Sequence, residues 1–105
     1  MKESIIQRSI TDYLTMIERT HNIYWFRSGS GAVKTASGRM FKTGKPGCPD
    51  ITICYNGKFI AVEVKSDTGR QSEAQKQAQA DIEAAGGSYF VVRSLAELKR
   101  IITVI

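Results

Sequence analysis

Asp50, Glu63 and Lys65 are separated in the chain by a turn that brings them back together. Ile51 to Tyr55 and Lys58 to Lys65 both read as strands, and Asn56-Gly57 between them is the strongest short signal for a two-residue type I′ hairpin. That turn pairs Tyr55 with Lys58 and, counting outward, Asp50 with Glu63. Residues directly opposite have Cβ atoms roughly 4.5–5.5 Å apart, where like charges repel. Alternation puts Ile60, Val62 and Val64 on one face and Ala61, Glu63 and Lys65 on the other, so three charged groups converge on one patch. Two carboxylates and a backbone carbonyl can hold Mg²⁺ or Mn²⁺. Such an ion neutralises charge on a phosphodiester oxygen and lowers the pKa of a bound water, which a neighbouring lysine can orient. The same three residues could equally form a surface charge cluster, worth about 0–1 kcal/mol as an ion pair.

The flanking elements follow from periodicity. Residues 3–20 read as a helix with Ile6, Ile10, Tyr13, Leu14 and Ile17 on one stripe, which also carries Glu3 and Gln7. Glu3 either faces the charged patch or simply favours the positive end of its helix. Residues 23–27 (Ile-Tyr-Trp-Phe-Arg) read as an aromatic strand. From Ser28 to Gly47 the composition shifts: five glycines, Lys34, Arg39, Lys42 and Lys45, and no acid. Such a stretch builds little core and reads as a basic loop, with a short hairpin around Ser37-Gly38. Ser72-Glu73-Ala74-Gln75 fits a capping box for a helix over 72–85, which Gly86-Gly87 stops. An apolar strand at 88–93 and a last helix from Ser94, with Glu97 as capping partner, complete the chain. The segment 58–93 is then a βαβ unit with parallel strands. The aromatic strand at 23–27 and the apolar stretch Ile101 to Ile105 are candidate interface segments.

Composition narrows the classes. The 105 residues carry 42% hydrophobic and 24% charged side chains, which fits one small folded domain spanning 1–105. A net charge of +5 is compatible with a polyanionic partner. No apolar run is long enough for a membrane span, and the start does not read as a signal peptide. Cys48 and Cys54 make neither a disulfide scaffold nor a zinc pattern, and one histidine leaves little for a soft-metal site. Any metal should be a hard cation on carboxylates, and the expected location is the cytoplasm.

Pro49-Asp50, twelve residues, then Glu63-Val64-Lys65 matches the PD-(D/E)XK nuclease signature. With Gly47-Cys48-Pro49-Asp50, Phe59 through Ser66, Gly69-Arg70-Gln71-Ser72 and Gln75, and Glu3-x-x-x-Gln7, the chain resembles the VRR-NUC family of virus-type replication-repair nucleases in its small stand-alone form. It is also similar to the catalytic domain of the Fanconi-associated nucleases. The resemblance covers nearly the whole chain. It implies an α/β, restriction-endonuclease-like αβββαβ core, a mixed sheet flanked by helices, and Mg²⁺- or Mn²⁺-dependent hydrolysis of DNA. By resemblance, Asp50, Glu63 and the Val64 carbonyl are metal ligands and Lys65 positions water. Glu3 would approach the metal directly or through water, and Gln75 would lean into the site or serve only as a cap. Arg70 would contact a phosphate. The preceding position, often acidic in larger relatives, is Gly69.

Arg27-Ser28-Gly29-Ser30-Gly31 also resembles a loop of archaeal Holliday-junction resolvases, which implies DNA contacts for Arg27 and Ser30. Small stand-alone relatives imply a homodimer acting on four-way junctions, in a phage-encoded protein at work in a host cytoplasm. The alternatives are a nuclease for flaps, nicks or plain duplex, a non-catalytic nucleic-acid-binding module, and a repair subunit that needs a partner. Neutralising Lys34, Lys42 and Lys45 together is expected to weaken DNA binding and flatten its salt dependence. An unchanged salt slope in that titration would reduce the segment to a linker.

Overall fold

The first helix shows how the chain divides into layers. A computed structural model of the chain describes residues 1–29 and 31–105, with side chains outside 31–34 and 41–43. In it α1 spans Glu3–His21 and buries Ile6, Ile10, Leu14 and Ile17, the stripe the sequence predicts. Asn22, in the left-handed region at φ 52°, ends the helix and turns the chain into β1 (Tyr24–Arg27). There follow β2 (Gly31–Lys34), β3 (Met40–Thr43), β4 (Ile51–Tyr55), β5 (Lys58–Val64), α2 (Glu73–Ala84), β6 (Ser88–Val92) and α3 (Leu95–Val104).

The main sheet has strand order β1-β4-β5-β6. β1 and β4 pair antiparallel with Arg27 against Ile51, and β4 and β5 with Tyr55 against Lys58 and Ile51 against Val62. The β4–β5 register is the one that Asn56-Gly57 requires. Both residues have positive φ, 53° and 74°, as a type I′ turn demands. α2 connects β5 to β6, and those two strands are parallel, with Val64 beside Val92. The fold is thus α/β, a mixed four-stranded sheet flanked by helices.

One sheet face carries the core. Ile51, Ile53, Ile60, Val62, Val64 and Val92 are buried there in one cluster with the α1 stripe and with Leu98 and Ile102 of α3. On the opposite face α2 buries none of its own residues completely. By alternation Ala61, Glu63 and Lys65 point to this side. No helix among the described residues is long and apolar enough to cross a membrane.

Three details refine the expectations. The hairpin expected around Ser37-Gly38 forms: β2 and β3 pair antiparallel as a second, two-stranded sheet, with Lys34 against Met40 and Gly38 at φ 87° in the turn. The stretch Ile101 to Ile105 is not a free apolar surface. Ile102 is buried, Ile101 and Ile105 pack against the core, and Val104 is left exposed. This end of α3 therefore packs in part on the chain's own core. Finally, Ser94 caps α3 by accepting from the Glu97 amide at 3.2 Å, but the Glu97 carboxylate reaches one residue further back, to the Arg93 amide at 2.6 Å.

Candidate functional site

Asp50 is held from two sides. Its carbonyl accepts hydrogen bonds from the amides of Ser28 (2.9 Å) and Gly29 (3.3 Å), which tie it to the end of β1. Its Oδ2 accepts the Val64 amide at 2.8 Å, across the strand pair. The carboxyl group thus lies beside the end of β5, as the hairpin register predicts.

Glu63 is 2% exposed. Its Oε2 accepts the Gln75 side-chain amide at 3.0 Å and lies 3.7 Å from the Lys65 ammonium. Its Oε1 is buried with no hydrogen-bond partner. Burial raises the Glu63 pKa from 4.5 to about 8, helped by the charge of Asp50 and by the hydrogen bond that a protonated Glu63 can give it, although Lys65 pulls it down. The trio is therefore no solvated surface cluster: Glu63 and Lys65 are both buried, and the two carboxylates work against each other.

Gln75 serves both roles that the sequence left open. Its amide nitrogen is bound by Ser72 Oγ (3.1 Å) and its own Oε1 accepts the Ser72 amide (2.8 Å), closing the capping box. The remaining side-chain NH₂ is then aimed at Glu63. The cap fixes the rotamer that the site uses.

Glu3 approaches from α1. A Cβ on Gly69 would lie 3.3 Å from Glu3 Oε2 and 3.4 Å from Lys65 Cδ, so Glu3 and Lys65 meet at this glycine. A side chain at position 69 would crowd both groups. The charge of Glu3 also raises the Glu63 pKa, less than burial and Asp50 do.

A buried carboxylate oxygen without a partner, beside a second carboxylate, is what a hard cation would satisfy. Among the described residues no group of three or more His, Cys, Asp or Glu side chains comes together around one point. The side-chain donors that fit are accordingly Asp50 and Glu63.

The basic candidates are more dispersed. Arg27 is exposed at the end of β1, and Lys45 is exposed on the rim of a cavity of about 510 Å³ between α2 and the sheet. That cavity is mostly apolar, walled by Phe26, Phe59, Pro46, Pro49, Ala78 and Ile82. Lys34 and Lys42 belong to the backbone of β2 and β3, but their side chains lie outside those described, and Ser30 lies outside the described residues altogether. Arg70 is exposed beyond the loop that follows Lys65 and lines a different cavity.

Two contributors are not singled out by the sequence. Ser28 joins the Pro49 carbonyl (2.8 Å), the Thr52 hydroxyl (2.7 Å) and, through its own carbonyl, Cys48 Sγ (2.8 Å), so one serine braces the segment around Asp50. Arg93 bonds the carbonyls of Ser66 and Gly69 and so ties down the loop after Lys65. Ser28 belongs to a motif read for its other members, and Arg93 reads only as the last residue of a strand.

No protein-family model matches the sequence, and no curated protein matches it. Among solved structures, a chain described as a VRR_NUC domain superposes with a TM-score of 0.63. The match covers 98% of this chain and 97% of that one, at 18% identity. The chain therefore has the fold of a VRR_NUC domain over nearly its full length.

The raised Glu63 pKa has a consequence for the metal-free protein. Between pH 4.5 and about 8 the folded state keeps a proton that the unfolded state has lost. The stabilisation is full below the lower value and disappears as pH rises through the upper one. Thermal unfolding in chelator is expected to show Tm falling from pH 5 to 9, and Glu63→Gln is expected to flatten that fall. Parallel curves for the two proteins would contradict the assignment.

Proposed function

We propose that the chain is a divalent-metal-dependent endonuclease of the PD-(D/E)XK type that hydrolyses DNA phosphodiesters. The observation that carries this reading is the Asp50–Glu63 pair, Glu63 buried and Asp50 partly so, with Lys65 at its side and one Glu63 oxygen left without a partner. Asp50, Glu63 and the Val64 carbonyl would hold Mg²⁺ or Mn²⁺. When bound, the ion would offset charge on the scissile phosphate and acidify a coordinated water.

The remaining roles fall to the chain itself. Lys65 would orient the attacking water and face the negative charge that builds on the phosphorus oxygens. Gln75 would keep Glu63 in one orientation, and Glu3 would hold an outer water at the Lys65 side. Water adds to phosphorus in line with the P–O3′ bond and loses a proton. The O3′ bond breaks and that oxygen takes up a proton, leaving a 5′-phosphate and a 3′-hydroxyl. Arg27, Ser30, Lys34, Lys42, Lys45 and Arg70 are proposed to contact the DNA backbone.

For the preferred substrate we favour a four-way junction cut by a homodimer. A two-fold arrangement presents two identical sites to two strands of like polarity. Tyr24 (71% exposed) and Phe26 (48% exposed) stand on the free edge strand β1, their rings 6.3 Å apart, as an apolar patch suited to a second copy.

The decisive assay combines a labelled four-way junction and its linear duplex in one tube with Mn²⁺. The wild-type chain is expected to nick the junction symmetrically near the crossover and spare the duplex. Asp50→Asn is expected to lose cleavage by at least about a hundredfold while binding the junction nearly as well, because a ligand is removed and the basic surface is not. Equal loss of binding and cleavage would count against the ligand role, and cutting of both substrates would remove the junction preference.

A further inference from the structure

A cavity of about 400 Å³ opens on the β6 side of the carboxylates, lined by Arg70, Gln71, Lys76, Val91, Arg93 and Glu97. Its place is set by the sheet. Val91 is the register partner of Glu63 on the neighbouring parallel strand, so the cavity wall stands about one strand spacing, ~4.8 Å, from the catalytic carboxylate's own strand.

Its charge is unbalanced. Three cations line it against one carboxylate, Glu97, whose oxygen already accepts the Arg93 main-chain amide at 2.6 Å. No ion pair joins Arg70 or Arg93 to a carboxylate among the described residues, and Lys76 has only an exposed pair with Glu73 at 3.4 Å. An exposed pair of that kind holds its lysine weakly.

Arg93 is the unusual member. It is half-buried, and its Nη1 donates to the carbonyls of Ser66 and Gly69, the latter at 2.9 Å. Those bonds fix the plane of the guanidinium and occupy only one nitrogen of a fork that carries five N–H donors. A guanidinium that is oriented by carbonyls, lacks a carboxylate and keeps donors to spare is arranged to receive an oxyanion through paired hydrogen bonds. The same two bonds secure the loop that ends in Arg70.

We propose that this cavity is a second phosphate subsite, which holds the phosphodiester next to the scissile one on the same strand. Arg93 is its fixed floor, and Arg70 and Lys76 are the arms that close on the phosphate from the loop and from α2. The assignment rests on the nuclease reading and extends it. The strand would run from the Asp50–Glu63 pair across β6, on the side of the sheet away from the β2–β3 hairpin's attachment to β1 and β4.

The test is the salt dependence of binding to a fluorescein-labelled four-way junction in the Asp50→Asn background, which permits binding without cleavage. Arg70→Gln with Lys76→Gln alters exposed side chains only. That pair is expected to raise Kd about tenfold and to reduce the slope of log K against log salt by about two. Arg93→Lys keeps the charge and loses the fork, so it is expected to weaken binding with the slope unchanged. A double variant with the parent's Kd and slope would overturn the subsite and leave the nuclease reading standing. Failure of the Asp50→Asn parent to bind DNA at all would overturn both.

Discussion

Two carboxylates face each other at the end of a strand pair where sheet geometry alone would make them repel. Asp50 and Glu63 are placed there by the β4–β5 register, and burial intensifies the conflict instead of letting water screen it. Most of the site consists of groups that hold this arrangement in place. The Val64 amide binds Asp50, Gln75 and Lys65 meet the same oxygen of Glu63, and Ser28 and Gly29 pin the Asp50 main chain. Without metal the conflict between the carboxylates is met by the proton that Glu63 keeps up to about pH 8, and a divalent cation would take that proton's place.

The elements around the pair divide the work. α1 and α3 supply the core on one sheet face and give the strands a rigid base, while α1 also carries Glu3 to the site at its first turn. α2 contributes little to the core, yet its capping box aims Gln75 at Glu63. The first turn of α2 also sits hard against Gly47, whose positive φ and lack of a side chain let the main chain pass within van der Waals range of Ala74. A helix that packs weakly contributes chiefly by orienting the buried Glu63 carboxyl group.

Much of this was legible in the chain because local signals determine it. Asn56-Gly57 sets the register, and the register sets which acids meet. Ser72 and Gln75 announce the cap, and α1's apolar stripe brings Glu3, itself exposed, up to Gly69. The alternatives posed for Gln75 proved compatible, since an amide side chain has an acceptor for the cap and donors for the site. Other features depend on contacts distant in sequence. The bracing of Asp50 by Ser28 and the capture of Ser66 and Gly69 by Arg93 join residues more than twenty positions apart, for which periodicity offers no sign. The C-terminal isoleucines carry a related ambiguity: an apolar run reads the same whether it meets a partner or its own core.

The central claim is that the Asp50–Glu63 pair is a divalent-cation site. Calorimetric titration of the chelator-treated chain with Mn²⁺ at neutral pH, beside the same titration of Glu63→Gln, tests it without reference to any substrate. The account predicts saturable Mn²⁺ uptake by the native sequence and its loss in the variant. Indistinguishable titrations, whether both bind or neither does, would contradict it.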